Sequence, residues 1–123
     1  MEQVVDLDHA AVEVAERRAD WERRGLVVGH VTWRDEAAPW PPRLETDRSS
    51  VTEPDSIGVL ITGPGDAQLS AVLFRGGWAD IDFIATIDDA GTLPTSDIDS
   101  ARAFRDLLDR YVARVFGSQG SGR

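Results

Sequence analysis

The 123-residue chain contains no cysteine and no lysine. Without cysteine it has no disulfides, no thiolate zinc site and no cysteine nucleophile. Without lysine, all 13 basic residues are arginine, a bias that follows from GC-rich codons and carries no chemistry of its own. Long apolar runs are missing too. None approaches the ~20 residues of a membrane-spanning helix, so no membrane partner is expected. The opening residues Met-Glu-Gln-Val-Val-Asp-Leu-Asp lack the basic start and apolar centre of a signal peptide, and a cytoplasmic location is the expectation. Positive charge is scarce: 22 acids against 13 bases give a formal charge of −9. That balance argues against nucleic acid as a partner and favours a basic one, whose encounter it speeds. The plainer reading is that the charge keeps a small protein soluble.

What is present is ordinary for one folded domain, 41% hydrophobic and 28% charged. Residues 1–117 are expected to form that domain and residues 118–123 a flexible tail. Leu7 to Arg24 reads as a helix, with Leu7, Ala10, Ala11, Val14 and Trp21 at helical spacing, Asp6 as N-cap and Gly25 as its left-handed stop. Leu26 to Trp33 is β-branched and of strand length. Residues 34–55 hold four prolines and no periodicity, the pattern of a functional or mobile loop. Trp40 at its tip is either an aromatic anchor for a partner or a lid over the domain's own core, the lid being the simpler reading. Ser56 to Thr62 is a second strand, and Gly63-Pro64-Gly65-Asp66 a turn without the Lys-Ser/Thr of a P-loop.

The most informative stretch is Ala67 to Asp88, two strand-forming runs around Gly76-Gly77. Taken as a two-residue loop, Gly76-Gly77 sets Arg75 opposite Trp78, Leu73 opposite Asp80, and Ala71 opposite Asp82. A four-residue loop at 63–66 aligns Leu60 with Leu69, in agreement. The core face is then Ile57, Val59, Ile61, Val72, Phe74, Ile81, Phe83 and Ile87. The other face carries Leu60, Leu69, Leu73 and Trp78 with Asp80 and Asp82. Beyond a turn at Asp88-Asp89-Ala90-Gly91, Ser96 and Asp99 resemble a capping box, and Ile98, Ala101, Phe104, Leu107, Leu108, Tyr111, Val112 and Val115 stripe a helix that Gly117 ends. The expected fold is α+β, ordered α-β-β-β-β-α: a four-stranded antiparallel meander with both helices packed on one face.

Little here points to catalysis. Asp80 and Asp82 share a strand face roughly 7 Å apart, but no EF-hand glycine or distal glutamate accompanies them. As an acid/base pair they need burial to set them apart. His9 and His30 have neither a nucleophile elbow nor a His-x-x-x-His spacing and read as structural or surface residues. No cofactor or metal is expected. Arg75 beside Trp78 makes a candidate cation–π pair, and with Asp80 and Asp82 it has the composition of an interface hot spot. The candidate partner-binding set is therefore Trp78, Asp80, Asp82, Arg75 and Trp40, unless the 34–55 loop covers Trp78.

Phe-Arg-Gly-Gly-Trp-Ala-Asp-Ile-Asp in the hairpin, Asp-Ile-Asp-Ser-Ala-Arg-Ala-Phe-Arg-Asp-Leu-Leu-Asp in the last helix, the acidity and the size together resemble the small acidic immunity proteins of bacterial polymorphic-toxin systems. The resemblance covers about the C-terminal half and transfers no functional residue. It implies a non-enzymatic inhibitor that occludes a cognate toxin domain, often a basic nuclease or nucleotide-directed enzyme. The competing expectations are a small-molecule-binding or enzymatic domain with a pocket between the sheet and the 34–55 loop, and a homodimer formed through the open sheet face in place of a monomer.

Overall fold

Helix α1 (Leu7–Arg23) starts where Asp6 accepts a hydrogen bond from the His9 N–H at 3.1 Å and stops before Gly25, whose φ of +87° suits only a residue without Cβ. It buries Leu7, Ala10, Val14 and Trp21. The computed structural model describes residues 2–41 and 43–117; the tail expected at 118–123 lies outside them. After α1 come β1 (Val27–Val28), β2 (Thr32–Asp35), β3 (Pro54–Thr62), β4 (Gln68–Phe74), β5 (Trp78–Thr86), β6 (Asp89–Thr95) and α2 (Ala101–Phe116). The protein is thus α+β, with two helices against one antiparallel sheet ordered β1-β3-β4-β5-β6, and β2 also pairs with β3.

The sheet has six strands where four were expected, for two reasons. The first expected strand is broken at Gly29-His30-Val31 into β1 and β2, which pair with opposite ends of β3. Gly29 still donates to the Leu60 carbonyl at 2.8 Å, so the break is a bulge in one edge and not a departure from it. The sixth strand, β6, occupies residues whose Asp-Ala-Gly and Pro content read as turn. It is an edge strand, where proline is tolerated, and its Gly91 lies opposite Phe83.

The register also differs from the expected one. Phe74, not Arg75, opposes Trp78; Ala71 opposes Ile81, and Leu69 opposes Phe83. Arg75-Gly76-Gly77 is a three-residue turn, closed by the Gly77 N–H on the Phe74 carbonyl at 3.0 Å, with Gly77 at φ +96°. Between β3 and β4, Ile61 opposes Leu69, so that turn is one residue longer as well. Both changes move β4 by one position, which turns its side chains over. The buried face is Ile57, Val59, Ile61, Leu69, Leu73, Ile81 and Phe83; Val72 and Phe74 stand on the other side, and Ile87, expected in the core, is 96% exposed in the β5–β6 turn.

Both helices lie side by side on the buried face. Arg17 pairs with Asp109 at 3.1 Å and Arg105 with Glu13 at 3.1 Å across their seam. Helix α2 buries Ala101, Phe104, Leu107, Leu108, Val112 and Val115. It begins later than the expected capping box: Ser100, not Ser96, accepts from the Ala103 N–H at 3.0 Å. Residues 96–99 instead carry the chain from β6 to the helix, tied down where Ile98 N–H donates to the Gly77 carbonyl at 2.9 Å. No helix among the described residues is long and apolar enough to cross a membrane.

Candidate interaction face

Whether the sheet's second face is open depends on the segment from 36 to 53. Its anchor is Asp35, a buried carboxylate that accepts from the N–H groups of Thr52 and Glu53 at 2.9 Å and of Ala37 at 3.0 Å. Those donors, the Thr52 and Glu53 bonds first, hold Asp35 below the usual carboxylate range against the opposing effect of burial. Asp47 caps a short 3-10 turn at Arg48–Ser50. Arg48 then reaches across to Asp8 on α1 at 2.6 Å and lies 5.1 Å over the Trp33 ring, while Val51 enters the core. The segment is therefore ordered by named contacts and packs beside α1. Trp40 stands 85% exposed at its tip, with Leu44 exposed nearby, so Trp40 does not lid the core.

The opposite face of the sheet is consequently uncovered, and its side chains form a grid fixed by the register. One row runs Arg34, Ser56, Phe74, Trp78 across β2, β3, β4 and β5. The next is Thr32, Gly58, Val72, Asp80, Pro94, and after it Leu60, Ser70, Asp82, Thr92. In the first row the Phe74 and Trp78 rings stack, 5.0 Å apart and 19° from parallel, with the Arg34 guanidinium 5.7 Å above Phe74. Such a ring pair is worth about 0.5–1.5 kcal/mol beyond its buried area. Arg34 is itself held by two bonds from its Nε and Nη2 to the Asp55 carboxylate at 2.9 and 2.8 Å, a fork that fixes its plane. Gly58 keeps the centre flat, since a Cβ there would stand 2.8 Å from Thr32 Oγ1.

Three of the five residues singled out by sequence meet on this face. Trp78 is 38% exposed, Asp82 stands in solvent and Asp80 is half-buried. Asp82 accepts a 2.6 Å hydrogen bond from Thr92 Oγ1, and Asp80 forms no ion pair among the described residues. Arg75 does not join them. Placed in the turn by the longer loop, it pairs with Glu36 at 2.5 Å and Glu53 at 3.9 Å, and its side chain is largely buried. The aromatic partner of Trp78 is Phe74, and the arginine of the stack is Arg34; a reading with the three-residue turn finds both. Trp40 lies on the separate 36–53 segment.

Leu60, Trp78 and Ile84 are exposed apolar side chains of this one face, with two carboxylates among them. No group of three or more histidine, aspartate or glutamate side chains among the described residues is placed to hold a metal ion. His9 sits exposed on α1, 3.6 Å from Glu13, and His30 lies in the exposed break between β1 and β2. At the foot of the 36–53 segment, a cavity lined by Asp6, Leu7, Pro54 and Arg75 offers about 40 Å³, room for water and not for a metabolite. No protein-family model, curated protein or solved structure matches the chain.

Proposed function

We propose that this protein is a non-enzymatic inhibitor of the immunity type, which binds a basic toxin domain in the cytoplasm and blocks it. The observation that carries this reading is the uncovered sheet face, where Trp78, Leu60 and Ile84 are exposed beside Asp80 and Asp82. An apolar, aromatic-centred surface on an otherwise acidic protein has the composition of an interface core with charge at its side. The net charge of −9 supports it by favouring fast capture of a basic partner, while the aromatic centre sets how long the complex lasts. The continuous antiparallel pairing supports it too, because the strand register fixes the spacing of these side chains on one face. Arg75, being committed to Glu36 and Glu53, falls outside the proposed interface, and Trp40 contributes only to a partner large enough to reach past the sheet.

The test is pull-down of the product of the neighbouring gene, followed by Asp80→Arg with Asp82→Arg. The expected result is a folded variant whose affinity falls on the order of a hundredfold, mostly through slower association, with a weaker salt dependence. Unchanged affinity in the folded variant removes the site. A competing pocket enzyme predicts a thermal shift with nucleotides or metal ions.

A further inference from the structure

The row Arg34–Ser56–Phe74–Trp78 stops at β5 although the sheet continues to β6. Ala79 opposes Thr95, so the next position on β6, opposite Trp78, is Ser96; but β6 has ended there and the chain swings away through Asp97 at φ +63°. The missing corner is a notch of about 380 Å³, lined by Val4, Gly77, Trp78, Asp97 and Asp99. Phe74 stacks on the indole of Trp78, and Trp78 is among the residues that line the notch. The row is thus a stack of guanidinium, phenyl and indole whose last member, Trp78, borders a notch with two carboxylates.

Charge accounting points the same way. Asp8, Asp55, Asp89 and Asp109 each hold an arginine of this chain, at 2.6 to 3.1 Å. Asp97 and Asp99, which line the notch, pair with no arginine among the described residues, and Asp97 accepts a 3.4 Å contact from Ser96 Oγ. Carboxylates left over around an indole surface complement an external planar cation, which stacks on the ring and is met at its edge by oxygen acceptors. Guanidinium suits this arrangement better than ammonium, being flat, forked and less strongly hydrated.

We infer that the notch receives an arginine side chain of the partner protein, extending the Arg34–Phe74–Trp78 stack by one cation. The inference rests on the proposed inhibitor reading for its partner, but the notch is testable without one. The probe is N-acetyl-arginine methylamide, titrated into the ¹⁵N-labelled protein while the Trp78 indole N–H resonance is followed, that resonance being assigned with Trp78→Phe. Saturable movement of this resonance is expected, with the uncharged citrulline analogue binding at least about fivefold more weakly, as loss of a cation–π contact implies. Asp97→Asn with Asp99→Asn should weaken the arginine probe about tenfold while leaving the rest of the spectrum in place; asparagine tolerates the positive φ of position 97, so the fold is preserved. Equal binding of the citrulline or lysine analogue, or an unchanged titration in the double variant, overturns the assignment. With the partner in hand the two readings separate. Affinity lost on reversing Asp80 and Asp82 but untouched by the notch variant keeps the sheet face and discards the notch. Probe binding at the notch with no effect of Asp80 and Asp82 does the reverse.

Discussion

Val72 and Leu73 are neighbours in sequence, both aliphatic, and belong to opposite worlds. Leu73 is wholly buried beneath the helices, whereas Val72 looks out between Gly58 and Asp80 on the uncovered side. The same contrast runs through β3 and β5: Ile57, Ile61 and Ile81 are buried on the helix side, and Leu60, Trp78 and Ile84 face away from it. On the covered face Ile57, Ile61, Leu69, Leu73 and Ile81 are closed off from water by residues of the chain itself. The uncovered one is mixed, and its Asp80 has no arginine partner among the described residues. Apolar area alone does not decide which face a small α+β domain buries; turn length does, because one residue more or less turns a strand over.

The comparison breaks most sharply by truncation. Leu73→Ala should cost about 2–5 kcal/mol in denaturant unfolding, while Val72→Ala, next to it and half-exposed, should cost under ~1 kcal/mol. Equal losses, or the reverse order, restore the register with a two-residue Gly76-Gly77 loop and place Trp78 and its carboxylates opposite different neighbours.

That register is also the least legible part of the sequence. Strand β4 alternates Leu69, Ala71, Leu73 with Ser70, Val72, Phe74, and each set is apolar enough for a core, so periodicity cannot choose between them and the turns must. Both flanking turns are one residue longer than their glycines suggest, and the two differences agree with each other, which makes the shorter-turn register self-consistent although it is not the one adopted. Strands β3 and β5 are legible because Ile57, Val59 and Ile61, or Ile81 and Phe83, alternate with clearly weaker partners. Helix α2 is legible from its stripe, but its start is not, since Ser96 and Ser100 are both competent caps and only the Ile98–Gly77 bond decides between them. On the candidate site, Trp78, Asp80 and Asp82 share a face under either register, because they belong to one strand. Phe74 and Arg34 depend on pairing across strands and are invisible without it.

The turn that sets the two faces has its own test. Gly77 sits at φ +96°, and a Cβ there would meet Val4 Cγ1 at 3.0 Å and the Ile98 carbonyl oxygen at 3.1 Å. Gly77→Ala should therefore cost about 1–2 kcal/mol from the backbone alone, and Gly76→Ala, read by the same unfolding curves, should cost less. A harmless Gly77→Ala shows that another turn geometry is accessible.

The 36–53 segment keeps the uncovered face open by staying beside α1, and Asp35 is what holds it there. Its carboxylate lies below the ordinary carboxylate value when folded, so its contribution is complete above that range and is lost as pH falls through it. Asp47 and Asp89, lowered by the bonds they accept from Ser49 and Arg114, act in the same direction. The thermal midpoint should fall as pH is taken from about 7 toward about 3, with a shallower fall in Asp35→Asn, whose midpoint is already several degrees lower at neutral pH because its amide nitrogen cannot accept the backbone donors. A parallel pair of curves shows that the segment is held by Arg48 and Val51 instead.

The smallest expected effect is the most discriminating for function. Leu60 and Ile84 are 45% and 38% exposed, so Leu60→Ser and Ile84→Ser should each change stability by only ~0.5 kcal/mol if the face meets water in the free protein. A face buried between two copies behaves differently. The double variant then loses stability out of proportion to its monomer exposure, its unfolding midpoint depends on protein concentration, and the mass from light scattering halves relative to the parent. Because the proposed inhibitor must keep this surface available, the expected outcome is one monomer mass for both proteins and a midpoint that concentration does not move. The same pair of serines should nevertheless weaken the proposed complex, since both side chains stand on the face assigned to the partner.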